Sequence, residues 1–244
     1  MTTDIRNAQF ETLSDSEAVA RRMADLLIEG IRSKKDGNFR VALSGGSTPK
    51  RLFELLAAPE TAKQIPWERL EIFYGDERHV PDGHPDSNFA VSDETLLRKV
   101  NIPAGNIYKI PTDKTVQEDA KIYQDTLQKV YGSQSFNKNK PLFDIVMLGL
   151  GTDGHTASLF PGQSVLKEKD AWVGTCAPQT APYERITLTY PALESSELVV
   201  FLVTGASKVE MLKRLREGDL SLPSANVTSN GRILILADRA AAGV

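Results

Sequence analysis

The chain alternates between two patterns of apolar spacing. Short, largely apolar runs of five to seven residues recur, and between them lie longer stretches in which apolar residues return every three or four positions. The first pattern is that of strands buried on both faces of a parallel sheet, the second that of amphipathic helices. The clearest run is Phe143-Asp144-Ile145-Val146-Met147-Leu148; others are Phe39 to Leu43, Leu70 to Tyr74, Glu197 to Val203 and Arg232 to Ala237. Asn106 to Ile110, Ala171 to Cys176 and Arg185 to Thr189 are further predicted strands. Helix starts announce themselves by caps. Ser14-Asp15-Ser16-Glu17 reads as a capping box opening a helix to about Ser33, and Thr115-Val116-Gln117-Glu118 opens another to about Tyr131. Thr48 suits an N-cap with Pro49 at the first helical position, for a helix to about Ala57. Ser87 caps a helix to about Lys99, and Gly205-Ala206-Ser207-Lys208 leads into one to about Arg216. Strands and helices alternate without a linker or repeat. The expectation is a single three-layer α/β/α domain over residues 1–244 with a mainly parallel, Rossmann-like sheet.

Composition narrows the partners. A length of 244 residues supports one large α/β domain, and a net charge of −3 argues against nucleic acid or an acidic membrane as the main partner. An anionic ligand must then be drawn by a local cluster of basic groups. The single cysteine, Cys176, excludes an internal disulfide and fits a reducing compartment. Met1 to Arg6 has no apolar signal core, and no run approaches the ~20 residues of a membrane span. A cytoplasmic protein is expected, a monomer or small homo-oligomer.

The polar signals sit just after predicted strands, which a parallel sheet brings to one edge, where ligands bind. Ser44-Gly45-Gly46-Ser47-Thr48 places glycines and hydroxyls before a helix start, a setting that favours phosphate. It is not a Walker A loop, because Pro49 precedes Lys50; an ordinary capped helix is the plainer reading. In Gly75-Asp76-Glu77-Arg78-His79, Arg78 can hold a phosphate through paired donors, with Asp76 and Glu77 fixing it or acting on substrate. A solvated charged turn would look the same. His79 and His84 with Asp82 and Asp86 match no common zinc spacing, so no metal is assigned. Lys208, in the first turn of a helix, is poorly placed for the helix dipole unless an anion sits at that helix start.

The stretch Gly149-Leu150-Gly151-Thr152-Asp153-Gly154-His155 ends the strongest strand with a carboxylate and an imidazole two residues apart. It formally matches the dinucleotide fingerprint, but Pro161 cuts off the helix required next, and Asp170 lies in a polar stretch rather than at a strand end. A serine hydrolase fares better but still poorly. Gly45-Gly46-Ser47-Thr48-Pro49 has proline where the nucleophile elbow needs its second glycine, and no separate triad acid stands out. Cys176, late in a strand, is a weaker nucleophile candidate still. His155 at a strand end after Asp153-Gly154 is better read as a general base than as a structural histidine.

Taken together, these residues resemble the 6-phosphogluconolactonases over nearly the whole chain. The resemblance rests on Leu43 to Pro49, on Gly75 to Arg78 with Ser87-Asn88, and on Gly149 to Pro161. It continues through Arg185 to Thr189, Gly205 to Lys208 and Asp238 to Ala241. Glucosamine-6-phosphate deaminases share the glycine loop and the Asp-Gly-His. They carry a tyrosine after Asp-Glu, where this chain has Arg78, and Ile-Ala-Phe-Asn-Glu-Pro after the histidine, where it has Thr156 to Pro161. Two lesser departures are Glu194, at an expected asparagine, and the absence of an aromatic residue in Ile233 to Leu236. The resemblance implies hydrolysis of 6-phospho-D-glucono-1,5-lactone to 6-phospho-D-gluconate in the oxidative pentose phosphate pathway, with a deaminase-like sugar-phosphate isomerase as the alternative. It implies Arg78, Lys208 and Ser44, Gly45, Gly46, Ser47 and Thr48 as the phosphate anchor, and His155 as base, assisted by Asp153 or Asp76. Amides of Gly149, Gly151 and Gly154 are the expected oxyanion donors. No cofactor is required.

Overall fold

The structure is a computed structural model that describes residues 2–244. Nine strands and five helices build the core and its functional edge. The strands are β1 (Gln9–Leu13), β2 (Phe39–Leu43), β3 (Leu70–Tyr74), β4 (Asp76–Arg78), β5 (Phe143–Gly149), β6 (Val173–Cys176), β7 (Arg185–Leu188), β8 (Ser196–Val203) and β9 (Arg232–Asp238). The helices are α1 (Ser16–Ser33), α2 (Ser47–Ala57), α3 (Asn88–Thr95), α4 (Val116–Tyr131) and α5 (Val209–Arg216).

Six strands form one sheet in the order β1-β9-β8-β5-β2-β3, with every neighbouring pair parallel. Parallel strands need both faces covered, and β5 shows why it lies at the centre. Phe143, Ile145, Val146, Met147 and Leu148 are all buried, each large aliphatic contributing about 1.5–3 kcal/mol. Asp144, the one charge in the run, is satisfied by Lys34 Nζ at 2.6 Å and the Arg40 amide at 2.7 Å. Helix α1 buries Val19, Ala20, Met23, Ala24, Leu27 and Ile31, the three-and-four spacing of an amphipathic face. That face packs against α2 and β9.

The strand order decides where a ligand can sit. From β2 the chain moves outward to β3, whereas from β5 it moves the opposite way to β8 and then β9. Neighbouring strands whose connections diverge leave a crevice beyond their C-terminal ends. A second, antiparallel sheet, β4-β7-β6, stands beside that crevice. It is joined to β3 through Gly75, whose amide donates to Leu43 O at 2.8 Å.

Three expectations need correction. Asn106 to Ile110 is no strand: Ala104–Asn106 is a 3₁₀ turn, with a single bridge, Ile107 to Ile72, just after it. Pro103 and Pro111 bracket the segment, and its Tyr108 ring stacks on Phe73 at 4.5 Å rather than extending the sheet. Strand β1 lies in residues that the pattern left unassigned, because an edge strand paired only with β9 stays half exposed and lacks a continuous apolar run. Helix α2 begins at Ser47, with Gly46 at φ 112° as its N-cap, so Thr48 sits inside the first turn. Its hydroxyl lies 2.8 Å from that of Thr204 and ties two loops together.

Candidate active site

Four segments meet at the crevice: the loop after β2, strand β4, the loop after β5 and the loop after β8. They enclose a cavity of about 350 Å³ lined by Ser44 to Pro49, Asp76, Arg78, Asn88, Gly149 to Thr152, His155 to Ala157, Leu202, Thr204 and Lys208. All seven residues of the expected phosphate anchor line this cavity, brought from positions 164 residues apart at the extremes, Ser44 and Lys208. Of the expected chemical groups, His155, Asp76, Gly149 and Gly151 line it as well, while Asp153 and Gly154 stand behind them.

Each segment is held by something specific. Gly45 packs so closely on Asn88 that an added Cβ would lie 2.0 Å from its Oδ1. The loop after β8 is pinned by Asp238, the last residue of β9, whose carboxylate accepts the Gly205 amide at 3.0 Å. The same carboxylate caps the terminal helical turn through the Ala241 amide at 2.7 Å. Ala157, on the cavity wall, holds φ 46°, a strained conformation of the kind that gathers at functional sites.

The imidazole of His155 has one defined partner. Its Nδ1 lies 2.6 Å from Asp153 Oδ1, which also accepts the His155 amide at 3.1 Å. The ring stacks on Phe160 with centroids 4.1 Å apart. With Nδ1–H donated to a carboxylate, the lone pair resides on Nε2. Partial burial pushes the Asp153 pKa upward, but the His155 amide and ring outweigh it and hold the carboxyl below the usual carboxylate range. The aspartate beside His155 is therefore Asp153. Asp76 is engaged elsewhere, accepting from Ser158 Oγ at 2.6 Å and Asn88 Nδ2 at 3.3 Å.

Glu77 neither fixes Arg78's guanidinium nor reaches the cavity. It turns inward and caps α3, accepting the amides of Arg78, Asn88 and Phe89 at 2.7–2.8 Å and Ser87 Oγ at 3.0 Å. Burial raises its pKa despite those amides. Arg78 donates from Nη1 to Asp86 O at 2.5 Å and lines the cavity. His79 turns to Asp119 on α4 at 2.9 Å, and His84 to the Asp86 amide at 3.1 Å, so the two imidazoles serve separate contacts.

Two expected oxyanion donors are already spent. The Gly151 amide donates to His155 O at 2.8 Å and the Gly154 amide to Gly151 O at 3.0 Å, closing the turn that presents the histidine. Gly154 is instead required by its φ of 82° and by Leu222, which an added Cβ would approach to 2.6 Å. Asn88, Thr204 and Thr156 are wall residues that spacing alone did not assign a role. Asn88 was visible as a helix-start residue near the Arg78 motif, and Thr204 as the residue that opens the strand-end loop carrying Lys208.

The sequence profile of the glucosamine-6-phosphate isomerases/6-phosphogluconolactonase family matches residues 14–235. The chain belongs to that family. Among its relatives is a 6-phosphogluconolactonase of Nostoc sp., 38% identical over 237 residues that span 95% of each chain. A solved structure called devB protein superposes with TM-score 0.89 at 30% identity, over 97% of this chain and 98% of that one. A monomeric glucosamine-6-phosphate deaminase superposes with TM-score 0.80 at 18% identity, over 96% and 99%. The fold is thus common to both branches of the family, and the side chains of the site must separate them. Glu194, one of the departures from the expected pattern, lies outside this site, where it accepts from Thr228 Oγ1 at 2.7 Å.

Proposed function

We propose that the cavity hydrolyses 6-phospho-D-glucono-1,5-lactone to 6-phospho-D-gluconate, the lactonase step of the oxidative pentose phosphate pathway. The observation that carries this reading is the joint presence, in the lining of one cavity, of a single imidazole oriented by Asp153 and two cationic side chains, Arg78 and Lys208. The cations and the hydroxyl-rich start of α2 hold the phosphate dianion. His155 Nε2 takes a proton from water as the water oxygen bonds to the lactone carbonyl carbon. Charge gathers on the former carbonyl oxygen, for which the Thr152 amide is the donor of choice. Among the described residues no backbone carbonyl outside helices and strands accepts it. The tetrahedral intermediate then collapses, the ring C–O bond breaks, and the imidazolium returns its proton to the departing oxygen. Asp153 stabilises the imidazolium between the two transfers.

A deaminase-like isomerase is the second reading, favoured by the shared fold. Against it stand Arg78 and the segment Thr156 to Pro161, which contains no carboxylate to work beside His155. The whole of residues 1–244 acts as one unit in this reading, in the cytoplasm and without nucleic acid. No helix among the described residues is long and apolar enough to cross a membrane.

The test is a pH-stat assay on freshly prepared lactone beside an ammonium assay on glucosamine 6-phosphate. Acid release well above the spontaneous rate, without ammonium, is expected; ammonium release would overturn the reading. His155→Ala should lower kcat by about 10²–10⁴-fold with the fold intact.

A further inference from the structure

Arg185 is a charged residue with little reason, in the free protein, to be where it is. It is buried, with 6% of its surface exposed. Its Nη2 donates to Pro182 O at 2.9 Å, while its Nε is buried with no hydrogen-bond partner among the described residues. Carboxylates in range are committed to other groups. Asp76 is held by Ser158 and Asn88, and Glu77 by the amides that start α3. Across the antiparallel pairing of β4 and β7, Arg185 stands directly opposite Arg78. Directly opposed residues project from the same face with their Cβ atoms about 4.5–5.5 Å apart, and like charges so placed destabilise a sheet. Burial and the neighbouring Arg78 charge press the Arg185 pKa downward and outweigh the opposing charges of Asp76 and Glu77, the sign of a cation only partly compensated by its surroundings. A dianion in the cavity that Arg78 lines would reverse the balance.

We infer that Arg185 is a positioning residue of the phosphate anchor: a second guanidinium, behind the cavity wall, that acts through Arg78. It does two things there. Its charge adds to the positive potential at the phosphate site without touching the ligand. Its repulsion turns the Arg78 guanidinium away from β7 and toward the cavity. This inference rests on the lactonase reading above, since it needs a phosphate-bearing ligand at Arg78.

The experiment compares wild type, Arg185→Met and Arg185→Lys by lactone kinetics and by the thermal shift that inorganic phosphate produces. Arg185→Met keeps the bulk and removes the charge. Its KM should rise about tenfold with little change in kcat, as expected for one charge acting on a dianion from beyond contact distance. Its phosphate-induced shift should shrink, while its melting temperature without ligand should equal or exceed that of wild type, because an unpaired buried charge has gone. Arg185→Lys should keep most of the affinity. A Met variant with a lowered melting temperature and an unchanged KM would make Arg185 merely structural and overturn the inference. So would a Lys variant as weak as the Met variant. Failure of wild type itself to consume lactone would instead strike the lactonase reading, and the phosphate shifts would still be read on their own.

Discussion

Gly151→Ala is the sharpest perturbation of the His155 environment. The φ of Gly151 lies outside the left-handed region, so alanine is compatible with the backbone. The difficulty is space alone. A Cβ there would lie 2.1 Å from His155 Nδ1, 2.4 Å from its Cε1 and 2.7 Å from Asp153 Oδ1. To regain ordinary contact, at roughly 3.4 Å, the ring nitrogen must retreat by about 1.3 Å, since Cβ is fixed to the chain. The Nδ1–Oδ1 hydrogen bond of 2.6 Å cannot survive a retreat of that size. His155, the proposed base, then loses both its tautomer and its aim, and displacements of about 1 Å in a catalytic group cost on the order of 10²-fold. The expected result is a kcat about 10²-fold or more below wild type, approaching that of His155→Ala. The circular dichroism spectrum should be unchanged, because only the loop after β5 is affected. Steady-state hydrolysis of fresh lactone on a pH-stat, corrected for the spontaneous rate, measures it. A folded Gly151→Ala with kcat within about twofold of wild type would show that the Asp153–His155 contact is not part of the chemistry.

Other perturbations draw on the same geometry. Arg78→Ala should raise KM about 10–100-fold with a smaller change in kcat, because the phosphate is held alike in ground and transition states; a fall in kcat alone would move Arg78 from the anchor to the reaction. Asp153 has a folded pKa below its ordinary 3.8, so its stabilising contribution is complete above that value and vanishes as pH falls through the lower one. Asp153→Asn should therefore be less stable than wild type near pH 7, and the gap should shrink once the pH is taken below 3.8. A gap of equal size on both sides of that value in denaturant titrations would contradict this. Glu77→Ala leaves the amides of Arg78, Asn88 and Phe89 without their acceptor and should destabilise by about 2–4 kcal/mol. A loss below about 0.5 kcal/mol in urea titrations would mean that water replaces the cap.

Local pattern determined much of this protein by itself. The apolar run Phe143 to Leu148 reads as a strand buried on both faces of a parallel sheet, and Thr115 with Glu118 forms the capping box that opens α4. Caps and buried strands are legible because the groups that make them lie within a few residues of one another. The motifs around Ser44, Arg78, His155 and Lys208 were likewise visible as strand-end loops. What they do to one another was not. That Asp153, and not Asp76, meets the imidazole, that Glu77 turns away to cap α3, and that Arg185 faces Arg78 all depend on strand register and on which loops the sheet order brings side by side. Hydrogen bonds reach only about 3 Å, so which partner a polar group finds is decided by tertiary placement and not by composition or spacing.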